Sequence, residues 1–227
     1  SVVVNHFKSK GSCPASGDPN ADQGDGQGCW NALRVQQSQA LLNFVNAHSA
    51  SVGDNDVLVI GDLNAYGKED PVLALTTNGL VDELARMNSA PYSYVFDGEA
   101  GYLDHALTTA SLNSQIAGTG HWHINADEPS VIDYNTEFKQ PTCATCSPDL
   151  YTPTPYRSSD HDPVLVGVNL VKALTGTSGR DNLIGTAGDD SLTGGAGADT
   201  LTGGTGRDQF VYTSATDGVD TITDFQI

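Results

Sequence analysis

Four short stretches of this chain combine residue types suited to hydrolysis. They are Val4-Asn5-His6-Phe7-Lys8-Ser9, Ile60-Gly61-Asp62-Leu63-Asn64, Tyr102-Leu103-Asp104-His105-Ala106-Leu107 and Ser158-Ser159-Asp160-His161-Asp162-Pro163-Val164. Their candidates are the imidazoles of His6 and His161, the carboxylates of Asp62, Asp104 and Asp160, and the amide of Asn64. Phosphodiester hydrolysis needs such a kit. A metal ion neutralises the phosphate, a base deprotonates water, and an acid or metal stabilises the leaving oxygen. Taken singly the motifs say little, because Asp-x-Asn is an ordinary turn and a histidine at a strand end is usually structural. Ser-Asp-His-Asp-Pro is more specific, with two acids and an imidazole ahead of an apolar strand. The ordered set of four carries the reading. Strand alternation turns His105 away from Asp104, so His105 is not counted as catalytic.

Side chains of this kind need strand ends to hold them. Residues 1–7 form a β-branched run that reads as a buried strand. Residues 30–48 have a helical period, with Leu33, Gln37, Ala40, Leu41, Phe44 and Val45 as its stripe. A strand over 56–60 leads into the Gly61-Asp62-Leu63-Asn64 turn. Asp70-Pro71 opens a helix that Asp70 can cap; it runs to about residue 77, before Asn78-Gly79. Strands are expected near 93–96, 102–108 and 163–169, and residues 126–159 hold little regular structure. Strands alternating with helices point to an α/β architecture.

Composition changes near residue 172. From Gly176 the chain repeats every nine residues: GTSGRDNLI, GTAGDDSLT, GGAGADTLT, GGTGRDQFV. Asp181, Asp190, Asp199 and Asp208 recur at equal spacing, and Leu183, Leu192, Leu201 and Phe210 follow each by two. Glycines permit tight turns, carboxylates and turn carbonyls are hard ligands for Ca²⁺, and the apolar residues point into a coil. A flexible linker explains neither the fixed Asp nor the fixed Leu.

The formal net charge is −18. Residues 1–171 hold 7 Lys/Arg against 20 Asp/Glu, and residues 172–227 hold 3 against 8. Such acidity argues against a tight nucleic-acid-binding module, less against an enzyme that captures its substrate briefly. No apolar run is long enough to span a bilayer. Cysteines fall in two local pairs, Cys13 with Cys29 and Cys143 with Cys146, both in loops. That favours disulfides in an oxidising compartment; a zinc site with His121 and His123, or a redox C-x-x-C, is the alternative.

The repeats resemble the RTX calcium-binding β-roll, which implies Ca²⁺ held by Asp181, Asp190, Asp199 and Asp208, and bacterial export through a type I secretion machinery. Two repeats begin Gly-Thr, which implies weaker sites there. The four motifs, with His123-Ile124-Asn125-Ala126-Asp127-Glu128-Pro129 and Tyr156-Arg157-Ser158, resemble the endonuclease/exonuclease/phosphatase superfamily, the deoxyribonuclease I-like fold. They look closest to bacterial extracellular nucleases. The resemblance implies that His161 activates water, Asp104 orients it, and Asp160 binds a catalytic Mg²⁺ or Mn²⁺. It implies that Asp62 and Asn64 position nucleophile and phosphate, and that His6 acts as general acid. Asn5, Lys8 and Arg157 are candidates for phosphate contact. The expected architecture is the C-terminal half of a two-sheet α/β sandwich over residues 1–171. A parallel β-roll over 172–215 and the start of a cap over 216–227 follow.

Both ends read as cuts through strands, so a fragment is expected. The superfamily's metal-binding glutamate falls in a part this chain lacks. A bare inner sheet face, poor stability and little or no activity are therefore expected of these residues alone. The implied function is a secreted endonuclease acting on DNA, and RNA is a further candidate substrate. A phosphatase or lipid phosphodiesterase of the same superfamily is the alternative, although no aromatic cluster suggests a membrane. A calcium-stabilised surface protein without activity is the third reading. Calcium in the millimolar range should raise the β content of residues 172–227 by circular dichroism; an unchanged spectrum would count against the roll.

Overall fold

The computed structural model describes residues 1–133, 151, 153–169, 172–186 and 188–225. The chain folds as two units, Ser1–Val166 and Gly167–Ile227. The first is mixed α/β, and its elements in chain order are β1 (Val2–His6), α1 (Asn31–Val52), β2 (Leu58–Asp62), α2 (Asp70–Thr76), β3 (Val81–Asp82), α3 (Glu83–Met87), β4 (Tyr94–Phe96), β5 (Glu99–Gly101), β6 (Asp104–Thr108), α4 (Ala110–Asn113), β7 (Ile116–His121) and β8 (Val164–Val168). No helix among the described residues is long and apolar enough to cross a membrane.

The central sheet has the order β1-β2-β6-β3. Strand β1 runs parallel to β2, and β2 and β3 run antiparallel to β6. Alternation gives each strand two faces. One face packs Val57, Val59, Leu107 and Phe7 against Leu41, Leu42 and Val45 of α1 and Val72 and Leu75 of α2. The other packs Leu58 and Ala106 against Leu84, Leu112 and Ile116, with Ile60, Val164 and Val166 beside them. The expectation of a bare second face is thus corrected over most of the sheet, because α3, α4, β7 and β8 supply side chains to it. It holds at β1, whose Val2 and Val4 are 65 % and 77 % exposed. Strand β1 is therefore an edge strand covered on one face and not the buried strand its composition suggested.

Helix α1 buries Arg34, Ser38, Leu41, Leu42, Val45 and Ser49. This stripe is rotated from the expected one, and Phe44 is exposed. The cause is polar burial. The Arg34 guanidinium donates to the carbonyls of Lys8 (3.3 Å), Cys29 (2.8 Å) and Gln27 (3.0 Å), and Ser38 Oγ donates to the Pro71 carbonyl at 2.8 Å. Satisfied in this way, polar residues occupy the buried face, and a count of apolar positions misplaces it. Burial lowers the Arg34 pKa, with Glu69 and Asp62 opposing. The Cys13–Cys29 disulfide closes the loop that Arg34 ties down, with Cα atoms 5.4 Å apart. Cys143 and Cys146 lie outside the described residues.

Asp70 does not cap α2. It is the first helical residue, and its Oδ2 accepts from Asn31 Nδ2 at 2.8 Å. The helix α3, unforeseen in the sequence, is capped by Asp82, whose Oδ1 accepts from the N–H groups of Leu84 (3.1 Å) and Ala85 (3.2 Å). Asp82 Oδ2 takes the Tyr102 hydroxyl at 2.9 Å and stands 3.5 Å from His105 Nδ1.

In the second unit β9 (Ala173–Thr175), β11 (Ser191–Thr193) and β13 (Gln209–Phe210) form one parallel sheet. Strands β10 (Asn182–Ile184), β12 (Thr200–Thr202) and β14 (Thr221–Ile222) form another. Successive strands alternate between the two sheets, as a β-roll requires. Leu192 and Leu201 are buried at its centre, and Leu183 and Phe210 are partly buried.

Burial pushes Asp82 up, but His105, the Ala85 N–H and the Tyr102 hydroxyl outweigh it and hold the carboxyl below its usual range. A depressed folded-state pKa contributes stability above the unfolded value of about 4, and that contribution is lost as pH falls through the folded value. Asp82→Ala should cost about 1–2 kcal/mol at pH 7. In urea melts the gap to wild type should narrow below about pH 4; a gap independent of pH would refute this.

Candidate active site and calcium-binding turns

The central sheet's register assembles the first site. His6 is paired with Asp62 across β1 and β2, and Asp62 with Asp104 across β2 and β6. The three side chains therefore stand abreast on one sheet face. Gly61 allows the close approach behind them: a Cβ there would lie 2.1 Å from the Asn5 carbonyl oxygen. His6 Nε2 stands 3.4 Å from Asp62 Oδ2 and is largely exposed.

Asp62 ends its strand in a turn that its own carboxylate closes. Oδ1 accepts from the Asn64 N–H at 2.7 Å, and Oδ2 accepts from Asn64 Nδ2 at 2.9 Å. The same Nδ2 donates to the Phe7 carbonyl at 3.1 Å. Asn64 thus acts on the site through Asp62. Its positive φ of 48° is one that Asn tolerates better than most residues. Burial raises the Asp62 pKa, the Asn64 N–H opposes, and the facing Asp104 carboxylate adds to the rise.

Asp104 Oδ2 accepts from Ser93 Oγ at 2.6 Å and lies 2.6 Å from His161 Nδ1. Fully buried Ser93 joins the two halves of this pair, because its carbonyl also accepts the Asp162 N–H at 2.8 Å. Burial pulls the His161 imidazole down. The Asp104 hydrogen bond and charge, with Asp62 and Asp160, outweigh that and raise its pKa. The Tyr94 ring lies 4.7 Å from the His161 ring.

Asp162 anchors the loop that carries His161. Its Oδ1 accepts from the N–H groups of Ile124 (3.1 Å), Asn125 (2.8 Å) and Ala126 (3.0 Å). Its Oδ2 is 2.8 Å from His123 Nδ1. These bonds outweigh burial and hold Asp162 below the usual carboxylate range. His123 also stacks on Tyr92, and His121 Nε2 faces the Asp104 carbonyl at 3.1 Å. The cysteines of the zinc alternative lie outside the described residues.

A cleft of about 760 Å³ opens over the row, and His6, Asp62, Asn64, Asp104, Asp160 and His161 all line it. Asp62, Asp104 and His161 offer ligand atoms within 4.8 Å of one another. This donor set fits a divalent ion, and Asp160 stands at the exposed rim. The three phosphate-contact candidates do not line the cleft. Asn5 points to the other sheet face and bonds the Val3 carbonyl at 3.3 Å. Lys8 Nζ bonds the Ser9 carbonyl at 3.1 Å and lies over Trp30. Arg157 is taken by Asp133 at 3.2 Å and by the Asn125 carbonyl at 2.9 Å. The cleft instead draws on Lys10, Tyr66, Tyr94 and Phe96. No local motif flagged these residues; the fold brings them in from separate loops and β4.

The four repeat aspartates occupy equivalent turns. Asp199 Oδ1 accepts from the Asp181 N–H at 2.8 Å, and Asp208 Oδ1 from the Asp190 N–H at 3.0 Å. In the two Gly-Thr repeats a threonine engages Oδ2 of the turn aspartate. Asp181 Oδ2 accepts from Thr177 N (2.6 Å) and Oγ1 (2.9 Å). Asp190 Oδ2 accepts likewise from Thr186 N and Oγ1.

Replacing Asp162 by Ala leaves three N–H groups without their acceptor. It should cost on the order of 3 kcal/mol or more in urea unfolding; a loss under about 1 kcal/mol would contradict its anchoring role.

Comparisons with curated proteins and with solved structures found no match. A family match covers residues 175–210, in four copies. That segment of the chain consists of RTX calcium-binding nonapeptide repeats.

Proposed function

We propose that residues 1–166 carry most of the active site of a secreted, metal-dependent phosphodiesterase, an endonuclease acting on DNA. The observation that carries this reading is the Asp104–His161 hydrogen bond of 2.6 Å, beside the Asp62 carboxylate and its neighbour His6. An imidazole held through Nδ1 by a carboxylate presents Nε2 to water as a general base. Asp104 fixes the ring and stabilises the imidazolium that forms.

In the proposed reaction His161 removes a proton from water as the water oxygen bonds to phosphorus. The phosphorus–oxygen bond to the leaving group breaks on the opposite side, and His6 supplies the proton to that oxygen. Asn64 keeps Asp62 in place. Asp62 and Asp104, with Asp160 at the rim, would hold Mg²⁺ or Mn²⁺, which supplies charge neutralisation for the phosphate. The aromatic wall of Tyr66, Tyr94 and Phe96 supports a substrate with flat rings and so favours nucleic acid over a simple phosphate ester. Secretion is supported by the RTX repeats, a class typical of secreted bacterial proteins, and by the Cys13–Cys29 disulfide.

The test is plasmid cleavage by the intact gene product with Mg²⁺. His161→Ala should lower the rate by about 10²- to 10⁴-fold. Absence of cleavage by the wild type would refute the nuclease reading, and phosphate release from monoesters or lipids would then identify the alternative.

A further inference from the structure

The roll continues past the four matched repeats, but not in their period. Counting nine residues on from Asp208 reaches Asp217. The structure uses Asp220 instead. Asp220 Oδ1 accepts from the Asp199 N–H at 3.0 Å, the bond that Asp199 makes to Asp181 and Asp208 makes to Asp190. The backbone follows the same shifted register. Thr221 N–H donates to the Asp199 carbonyl at 2.8 Å, Thr223 N–H to the Leu201 carbonyl at 2.9 Å, and Ile222 pairs with Leu201. Gly218 then lies against Gly197, so closely that a Cβ on it would be 1.5 Å from the Gly197 carbonyl oxygen. The turn has gained three residues. Asp217 is spent within them, accepting from Thr213 N (2.7 Å) and Ser214 N (2.8 Å).

The shift leaves an electrostatic problem. Asp199 is 1 % exposed, and its Oδ2 has no hydrogen-bond partner; neither has the buried Oδ2 of Asp220. The two oxygens converge. The point a Cβ on Gly194 would occupy lies 2.6 Å from Asp199 Oδ2 and 3.0 Å from Asp220 Oδ2. In the Gly-Thr repeats a threonine N–H and hydroxyl satisfy the equivalent oxygen of Asp181 and of Asp190. Gly195 stands where that threonine would be and has no hydroxyl to offer. Two facing buried carboxylate oxygens repel and are costly without a counter-charge. A hard cation meets that need, and carboxylates are the donors Ca²⁺ prefers.

We propose that Asp199 and Asp220 together hold a calcium ion in a fifth, twelve-residue turn of the roll. Its acid is Asp220 and not the in-period Asp217. Asp220 lies beyond the matched residues 175–210, and the site is independent of the proposed hydrolytic function.

The experiment counts calcium bound per full-length chain by titration calorimetry. It also reads terbium luminescence excited through Tyr212, whose phenol is close enough to feel the Asp220 charge. Asp220→Asn should lower the calcium number by one and remove the Tyr212-dependent emission. Asp217→Asn should change neither. Tyr212→Phe, which removes no metal ligand, should lose that emission with the calcium number unchanged; this keeps the proposal testable if Asp220→Asn does not fold. An unchanged calcium number in Asp220→Asn would overturn the proposal. So would loss of the ion in Asp217→Asn alone, or emission unaltered by Tyr212→Phe.

Discussion

Strand register in the central sheet is the constraint on which the candidate site depends. Asp62 faces Asp104 across β2 and β6, and His6 faces Asp62 across β1 and β2. Like charges directly opposite each other in a sheet are unfavourable. The row is tolerated because both carboxylates are heavily bonded: Asp62 by Asn64, Asp104 by Ser93 and His161. A one-residue slip of any of these strands would turn its member of the row to the opposite face. The apolar alternation that sets the register, Leu58 and Ile60 on one face with Val57 and Val59 on the other, therefore also sets the chemistry.

The loops around the row are held by buried polar groups more than by apolar packing. Arg34 gathers three carbonyls under the disulfide-closed loop, and Asp162 gathers three N–H groups beneath His161. Such groups are costly to bury and safe only when every bond is made. They give these loops one defined conformation, which the proposed hydrolytic role would require of His161.

The RTX repeats use the same economy of donors in another form. Asp199, Asp208 and Asp220 each accept an N–H from the aspartate one full coil earlier, which stacks the turns. The remaining oxygen separates two kinds of turn: a threonine answers it at Asp181 and Asp190, and at Asp199 it is left without a hydrogen-bond partner. Gly-Thr and Gly-Gly are thus different electrostatic solutions to one geometry.

Much of this was legible in the sequence. The four motifs, the Asp62–Asn64 turn and the aspartate and leucine period are local, and local spacing determines whether a turn can close or a coil can stack. The Cys13–Cys29 pairing was legible for the same reason. The sequence left other features open. The polar stripe of α1 was hidden because burial of Arg34 and Ser38 depends on carbonyls far along the chain. Ser93 carries no motif, yet it joins Asp104 to the Asp162 loop. Asn5 and Lys8 sit beside His6 in sequence but not in the cleft, because alternation and a local hydrogen-bond network turn them away. In the roll, counting residues selects Asp217, while backbone pairing selects Asp220. Residue types and short-range periods were determined by the sequence alone. Which carboxylates face one another was decided only by the tertiary structure, because long-range strand pairing is what sets that proximity.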